Sequence, residues 1–310
     1  MPALKRFAAA AWLLLAYTLA VVLWGALVRA TLSGDGCGDH WPLCNGVVVP
    51  VDASRKTLIE LTHRVTSGLC WIWTFVMWFA SRRLFVSGHP SRRAAGWGLF
   101  FMSTEALVGA GLVLFKMVAS NPSTARAAWM SLHLVNTFLL LAALSWLAFS
   151  AARPEGVRWI VSGRLKRLLA AAAALVLLVG VSGAIAALGD TLFPAEGLSE
   201  GLRQDLSPTA HVFVRLRLWH PLIALLTGVY LTLLAPWLLR QIEHDLARRL
   251  SIALMGLVVL QIAAGLLNVA LLAPVWLQLV HLLLADAIWI TLVLLALSSP
   301  RPAVDASLSP

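Results

Sequence analysis

The chain has 310 residues, of which 60% are hydrophobic and 12% are charged, and its mean hydropathy is +0.85. A soluble globular protein of this size needs more polar surface than this composition supplies, so that class is excluded. The formal net charge is +10, but the Lys and Arg residues stand in short clusters between long apolar runs. They therefore indicate membrane topology and not a nucleic-acid partner.

Eight apolar stretches follow one another along the chain, each with the roughly 20 residues that an α-helix needs to cross a membrane. They cover residues 8–29, 60–81, 95–118, 127–150, 167–188, 213–238, 250–272 and 275–297. Transmembrane β-strands would be shorter and would alternate in polarity, so the sequence predicts an all-α protein with eight transmembrane helices. The length of the first stretch favours an uncleaved helix over a signal peptide.

Positive charges are unevenly divided between the two sides of this predicted topology. One side contains 15 of the 24 Lys and Arg residues, among them Arg158, Arg240 and Arg301. The positive-inside rule assigns that side, and both termini, to the cytoplasm, so we expect a multi-pass protein of the cell (inner or plasma) membrane. Two long loops, residues 30–59 and 189–212, are then expected on the outer side, where they have room to cap a site.

The two halves of the chain repeat one another. Similar or identical residues recur at intervals of 148 to 158 residues: Gly25 and Gly183, His63 and His220, Glu105 and Gln261, Gly109 and Gly265, and His133 and His281. Each half has four helices, an even number, so the two copies share one orientation. We therefore expect two pseudo-symmetric four-helix bundles, residues 1–152 and 153–310.

Four histidines lie a few residues inside the predicted outer boundary, one in each even-numbered helix: His63, His133, His220 and His281. A single histidine in a membrane helix is as easily a packing residue as a ligand. Four histidines at one depth, paired within each half, favour two pairs of axial ligands for haem iron. Zinc or copper would more often recruit a third ligand, and no third ligand lies within helical reach of either pair.

Charged residues near these histidines differ between the halves. Glu60 lies three residues before His63 and on the same helical face, whereas the second half has Arg217 at this position and a proline, Pro221, that can kink the helix. We interpret Glu60 as a catalytic acid or base beside one haem, with a carboxylate that stabilises a helix N-terminus as the alternative. Four arginines at this boundary are candidates for the haem propionates, or else interfacial anchors: Arg29, Arg64, Arg215 and Arg217.

Two cysteines, Cys37 and Cys44, lie in the first outer loop. An oxidising exterior permits a disulfide between them, and this bond would staple the loop over the first-half site. A redox role for the cysteines and a metal site with His40 are the alternatives. Cys70 lies in the second helix and is expected to be a packing residue.

Together these features resemble the haem A synthase family. The resemblance covers essentially the whole chain and depends on four motifs: Glu-x-x-His-Arg at residues 60–64, one histidine in each even-numbered helix, the paired loop cysteines, and Gln-x-x-x-Gly at residues 261–265. It implies a membrane oxidoreductase that oxidises a ring methyl group of haem O to the formyl group of haem A, which matures terminal oxidases.

The resemblance also implies roles for individual residues. His63 and His133 would surround the substrate haem O, and Glu60 would be important for catalysis. His220 and His281 would ligate the iron of a haem b cofactor. The implied partners are haem O, membrane lipid, haem O synthase and the terminal oxidase assembly machinery, with a homo-oligomer left open.

Two other functions use the same features. A di-haem b-type electron-transfer cytochrome would use the same histidines, but it needs no acid beside one site and often has haems at both membrane faces. A transporter with parallel repeats would suit the duplication. However, only two charged residues, Glu105 and Asp286, are expected in mid-membrane, which is few for a transporter. We interpret them as buried hydrogen-bonding groups. A proton path through them is the alternative.

Overall fold

The computed structural model describes residues 2–153, 163–241 and 245–298, except for the side chains of residues 240 and 241. Within these ranges the chain forms helices and connecting loops and no β-strand, as predicted. In chain order the helices are α1 (Pro2–Ala30), α2 (Arg55–Leu84), α3 (Pro90–Leu114), α4 (Thr124–Ala151), α5 (Gly163–Leu192), α6 (Leu198–Leu206), α7 (Val212–Arg217), α8 (Trp219–Gln241), α9 (Asp245–Ala270) and α10 (Val275–Ser298).

Seven segments within the described residues are long and apolar enough to cross a membrane. Six are single helices, and the seventh, Val212–Leu239, joins α7 to α8. The protein is therefore a multi-pass membrane protein. The remaining predicted stretch, residues 60–81, also forms a helix, α2, but it falls outside the seven. Polar residues in its first turns, including Glu60, His63 and Arg64, make it less apolar than the others.

The predicted segment 213–238 is interrupted near its start. α7 ends at Arg217, Leu218 forms a turn, and α8 begins at Trp219. Pro221 explains the interruption, because proline has no amide hydrogen to bond to the carbonyl group of residue 217 and its ring crowds that carbonyl. The interruption is confined to Leu218, whose backbone stays in the right-handed helical region, so α7 and α8 together form one span with a local disruption.

Two other predicted stretches end earlier than expected. α3 ends at Leu114 instead of residue 118, and α9 ends at Ala270 instead of residue 272. Just beyond these ends, Lys116 and Leu272 have φ angles of 56° and 57°. A right-handed helix cannot continue through the left-handed region, so these residues end both helices and turn the chain toward the next one.

α4 lies at the centre of the bundle and packs against α1, α3, α5 and α10. The indole of Trp289 in α10 donates a hydrogen bond of 2.6 Å to the carbonyl of Phe138 in α4, and the two rings stack with centroids 5.2 Å apart. Buried residues of α1 to α5 and of α8 to α10 belong to one continuous apolar cluster. The two halves of the chain therefore share a core.

Some residues used in the predictions lie outside the described part of the chain. Arg158 and Arg301, which were counted for the orientation, are among them, as is the side chain of Arg240. The expected boundary between the repeats, at residues 152 and 153, adjoins residues 154–162, which also lie outside. The eighth crossing, the cytoplasmic termini and the pseudo-symmetry stay predictions.

Candidate functional site

The four histidines lie at one end of the helical bundle. α2, α4, α8 and α10 begin at this end, which also carries residues 31–54, and we call it the loop face. All four histidines lie in the first three turns of these helices: His63 in α2, His133 in α4, His220 in α8 and His281 in α10. At a rise of about 1.5 Å per residue they form a layer within roughly 15 Å of the helix starts.

The rings of His220 and His281 face each other across the C-terminal half. Their centroids are 6.4 Å apart and their planes are inclined at 85°. A bond from an imidazole nitrogen to a metal ion is about 2 Å long, so two rings on opposite sides of one ion have centroids about 6 Å apart. The observed separation therefore fits two axial ligands of a single iron.

Each histidine ring also lies against a glycine of a neighbouring helix. A Cβ atom added to any of these glycines would be 2.9 to 3.8 Å from the ring Cε1 atom. The contacts are Gly25 with His63, Gly109 with His133, Gly183 with His220, and Gly265 with His281. The glycines leave room for the ring edges, and the repeat spacing was the signal in the sequence that linked them to the histidines.

The ring nitrogens have different neighbours in the two halves. In the C-terminal half, Ser182 Oγ is 3.0 Å from His220 Nδ1, and Gln261 Nε2 is 3.3 Å from His281 Nε2. In the N-terminal half, Glu105 Oε1 is 3.4 Å from His133 Nδ1. Neutral groups therefore contact the C-terminal histidines, whereas a carboxyl group contacts one N-terminal histidine.

The histidine pairs fit haem better than a metal ion held by protein alone. Three of the rings, those of His63, His133 and His281, have a buried Nδ1 that makes no hydrogen bond within the described residues. His63 and His133 are close enough for their charges to interact. The part of the chain that the structure describes holds no cluster of three or more His, Cys, Asp or Glu side chains suited to a metal ion. A porphyrin supplies the other four ligands of its iron, so two imidazoles suffice.

Glu60 is buried, with 3% of its surface exposed, and both of its carboxylate oxygens accept hydrogen bonds. Oε2 accepts from the backbone amide of Cys37 at 2.8 Å, and Oε1 accepts from Arg64 Nε at 3.1 Å and Nη2 at 2.5 Å. Arg64 Nη1 in turn donates to the carbonyls of His40 and Leu43. Glu60 and Arg64 therefore fasten the loop that lies above the N-terminal pair.

The predicted disulfide between Cys37 and Cys44 is present in this loop. With both sulfurs bonded to each other, the alternative of a metal site formed by these thiols and His40 is wrong for this state. A second link joins the loop to the turn after α3, where Lys116 Nζ lies 3.0 Å from Asp39 Oδ2. The hydrogen bond from Lys116 holds the pKa of Asp39 below its usual value.

Two of the four arginines that were candidates for the haem propionates instead bind groups of the protein itself. Arg64 holds the loop, as described above. Arg29, at the end of α1, donates through Nη1 to Thr191 in α5 at 2.7 Å and through Nη2 to Gln278 in α10 at 2.7 Å. The structure therefore uses Arg29 to join the N-terminal half to the C-terminal half.

The other two predicted arginines lie beside the C-terminal pair. Arg217 Nε donates to Asp205 at 2.5 Å and Nη1 to Asp190 at 2.9 Å, while its buried Nη2 makes no hydrogen bond within the described residues. Arg215 is exposed. Arg217 lies three residues before His220. Its Nη2 therefore stays available to donate to an anion, while Nε and Nη1 hold the guanidinium in a fixed direction.

Arg126 was not predicted as a site residue. It lies in α4, seven residues before His133, and so on the same helical face and two turns nearer the loop face. It is 2% exposed, its Nη1 donates to the carbonyls of Ala119 and Asn121, and its buried Nε makes no hydrogen bond within the described residues. The seven-residue spacing could have identified it, but Arg126 lies just outside the predicted apolar stretch.

The two mid-membrane acids have opposite surroundings. Both oxygens of Glu105 accept hydrogen bonds, Oε2 from Asn136 Nδ2 at 2.5 Å and Oε1 from Thr137 Oγ1. Asp286 in α10 is completely buried, and neither of its oxygens has a hydrogen-bond partner within the described residues. Glu105 therefore forms the predicted hydrogen bonds but is only partly buried, whereas Asp286 is buried as predicted but forms no hydrogen bond within the described residues.

The fold and the site define a class: multi-pass helical membrane proteins with four histidines at one face, two of which, His220 and His281, have rings that face each other. Comparison with known families narrows this class. A family model described as cytochrome oxidase assembly protein matches residues 8–293, which is most of the chain. The chain belongs to the cytochrome oxidase assembly protein family.

Individual relatives have two different names. Proteins named protoheme IX farnesyltransferase from two strains of Thermus thermophilus are 47% and 46% identical over 298 residues, which are 96% of this chain and 49% of each relative. A Bacillus mycoides protein named heme A synthase is 41% identical over 97 residues, 31% of each chain. This chain therefore spans about half the length of the Thermus relatives, and a shorter part of it is similar to the Bacillus enzyme.

Proposed function

We propose that the chain is a haem A synthase, a membrane oxidoreductase that converts a ring methyl group of haem O to the formyl group of haem A. The observation that carries this proposal is the inequality of two otherwise similar histidine pairs at one face of the bundle. A carboxyl group contacts a histidine of the N-terminal pair, and uncharged groups contact those of the C-terminal pair. Membership of the cytochrome oxidase assembly protein family also supports this function.

The two pairs receive different haems in this proposal. We assign the substrate haem O to His63 and His133, and a haem b cofactor to His220 and His281. Iron porphyrin supplies the electron-transfer chemistry when it is bound, while the protein supplies ligands, orientation and exclusion of water. The 6.4 Å between the ring centroids of His220 and His281 supports axial ligation in the C-terminal half.

Two arginines that each have one buried, unpaired nitrogen are the best candidates for the haem propionates. Arg126 lies on the face of His133 with an unpaired Nε, and Arg217 lies one turn before His220 with an unpaired Nη2, within the described residues. A guanidinium with one unused nitrogen in a buried position binds a carboxylate through a charge-assisted hydrogen bond. We infer that Arg126 serves the N-terminal site and Arg217 the C-terminal site.

Glu60 supplies the acid of the N-terminal site. Its oxygens are held by Arg64 and by the amide of Cys37, so it keeps one orientation while one lone pair of Oε2 remains available. We infer that it accepts a proton from, or orients, the water or hydroxyl group that reacts with the substrate. The disulfide loop that it fastens would exclude bulk water from this site.

The proposed topology has eight membrane crossings in two four-helix repeats, residues 1–152 and 153–310, with both termini in the cytoplasm. α2 packs against both α1 and α3, which supports its crossing the membrane with them despite its lower hydropathy. The recurrent glycine–histidine contacts support the relation between the repeats. A disulfide at the loop face supports an outward, oxidising location for that face of a cell membrane protein.

Two alternative functions, prenyl transfer and electron transfer, explain fewer of these observations. The farnesyltransferase name belongs to relatives about twice as long as this chain, and transfer of a prenyl diphosphate calls for Mg²⁺ held by carboxylates. The described residues contain no suitable cluster of three or more such groups. We therefore assign prenyl transfer to a separate partner, a haem O synthase that supplies the substrate. Terminal oxidase assembly proteins are the expected acceptors of the haem A product. A di-haem electron-transfer cytochrome would leave the acids beside the N-terminal pair without a use.

Haem identification tests the proposal. The protein is co-expressed with a haem O source and purified, and its pigments are extracted and separated by chromatography. We expect haem b with haem O or haem A in the unaltered protein, loss of haem O and haem A in His63→Ala, and loss of haem b in His220→Ala. His40→Ala, which alters an exposed loop histidine, is the control. Haem b alone at both sites would favour the cytochrome, and a protein without haem would overturn the ligand assignment.

A further inference from the structure

Glu105 and Gly109 together contact one ring of the N-terminal pair. They are one helical turn apart in α3, with the carboxylate oxygen 3.4 Å from His133 Nδ1 and a Gly109 Cβ position 3.8 Å from Cε1 of the same ring. Asn136 and Thr137, in the turn of α4 that follows His133, donate hydrogen bonds to the two carboxylate oxygens. The acid is thus held as a hydrogen-bond acceptor beside the imidazole.

The C-terminal half differs at the corresponding ring nitrogen. Gln261 and Gly265 are one turn apart in α9, but Gln261 contacts Nε2 of His281 and not Nδ1, while Gly265 contacts Cε1. Nδ1 of His281 makes no hydrogen bond within the described residues. At the positions that follow His281 by three and four residues the sequence has Leu284 and Ala285, which cannot donate side-chain hydrogen bonds. No supported carboxyl group of the described residues therefore lies against this Nδ1.

We propose that Glu105 is a positioning residue that lowers the reduction potential of the haem iron bound through His133, relative to that of the iron bound through His281. An imidazole that ligates iron through Nε2 carries its proton on Nδ1, and Glu105 is within reach to accept it. A carboxylate acceptor fixes the ring and makes it a more basic ligand, which stabilises iron(III) over iron(II). Nδ1 of His281 has no such acceptor within the described residues.

This inference rests on the haem ligation proposed above, but not on synthase activity. It assigns Glu105 to the electronic tuning of a histidine ligand, whereas Glu60 contacts the loop and is assigned to the substrate. The glycine of each Glu/Gln-x-x-x-Gly motif makes room for the ring in both halves. The polar residue one turn earlier contacts Nδ1 in the N-terminal half and Nε2 in the C-terminal half.

Spectroelectrochemical titration tests the inference on the purified full chain loaded with iron protoporphyrin IX. The N-terminal site is read in a His220→Ala background and the C-terminal site in a His63→Ala background, so that each spectrum reports one iron. Glu105→Gln is expected to increase the iron(II):iron(III) ratio at a fixed potential about tenfold, equivalent to about 59 mV for one electron. The C-terminal iron is the internal reference, and its potential is expected to stay unchanged in Glu105→Gln. Glu105→Asp should keep part of the original potential.

The controls separate this inference from haem ligation itself. Glu196→Gln removes an exposed acid of the other loop and is expected to leave both potentials unchanged. Normal haem content with an unchanged potential in Glu105→Gln would overturn the inference and leave the ligand assignment intact. If Glu105→Gln does not fold, Glu105→Asp decides, and an unchanged N-terminal potential there overturns the inference. Absence of haem from both background proteins would overturn the ligation and this inference with it.

Discussion

The N-terminal and C-terminal histidine pairs share a frame and differ in their polar surroundings. In both, each ring comes from a helix that starts at the loop face and rests on a glycine of a neighbouring helix. In the N-terminal pair a supported carboxyl group contacts a ring, and in the C-terminal pair a hydroxyl and an amide do so. The position of the rings is thus kept while their electrostatic surroundings change, which is what two haems with different tasks would require.

The segments that cover the two histidine pairs are attached at corresponding positions, but by side chains of opposite charge. We call these segments the covers: the disulfide loop in the N-terminal half, and α6 with the end of α5 in the C-terminal half. Glu60 and Arg217 occupy corresponding positions, 157 residues apart. Glu60 accepts a hydrogen bond from the loop at Cys37, whereas Arg217 donates to Asp190 in α5 and to Asp205 in α6. Each half therefore fastens its cover to the same helical position, but only the N-terminal half has a carboxylate there.

Filling the glycine contacts is the strongest way to break the shared frame. Added Cβ atoms at Gly25 and Gly183 would be 2.9 Å from His63 Cε1 and 3.0 Å from His220 Cε1. We expect Gly25→Val to lose at least about tenfold in haem affinity at the N-terminal site only, and Gly183→Val at the C-terminal site only, because the ligating ring is displaced. Pigment extraction measures both.

Gly68→Val is the matched control for these variants, because a Cβ atom there would meet nothing within 4 Å. It should retain both haems. If Gly25→Val also retained both, the glycines would not be needed for ligation, and the resemblance between the two frames would have no bearing on haem binding.

The acid at position 60 is the next difference to test. Glu60→Gln keeps the shape of the side chain, so we expect normal haem content and a fall in haem O conversion of about 100-fold, the lower range for loss of a general acid or base. Thr57→Val removes a different anchor of the loop, the 2.8 Å hydrogen bond to the Gly36 carbonyl, and should cost less. Unchanged conversion in Glu60→Gln would mean that this acid only fastens the loop.

The sequence was sufficient for the long helices and for the layer of histidines, because both depend on regular spacing along one chain. Apolar length predicted each long helix, and the position of each histidine within its stretch predicted a common depth. The exact ends of α3 and α9 were missed, since they depend on left-handed backbone at Lys116 and Leu272, although Pro274 was a signal for the end of α9. The additional helix α6 was missed because it is too short to cross a membrane, although Leu198, Leu202 and Leu206 recur every four residues.

The roles of the arginines needed the three-dimensional structure. All four candidates lie at the predicted boundary, but only the folded chain shows that Arg29 is bound by Thr191 and Gln278 of the other half. Arg126 was missed for the opposite reason, because a charged residue at the edge of an apolar stretch looks like an interfacial anchor. Contacts between helices that are distant in sequence cannot be obtained from helical periodicity.

The last expected effect is on stability alone. Phe138 in the first half and Asp286 in the second occupy corresponding positions, 148 residues apart. Phe138 stacks on Trp289, whereas Asp286 is completely buried with neither oxygen hydrogen-bonded within the described residues. A buried polar group without partners costs about 1–3 kcal/mol, so Asp286→Leu should raise the free energy of unfolding by about that amount. Thermal unfolding in detergent measures it, with Phe138→Leu as the control that loses stability. A lower unfolding temperature for Asp286→Leu, with Asp286→Asn unchanged, would show that a polar group is required here and that the second half has a further functional residue.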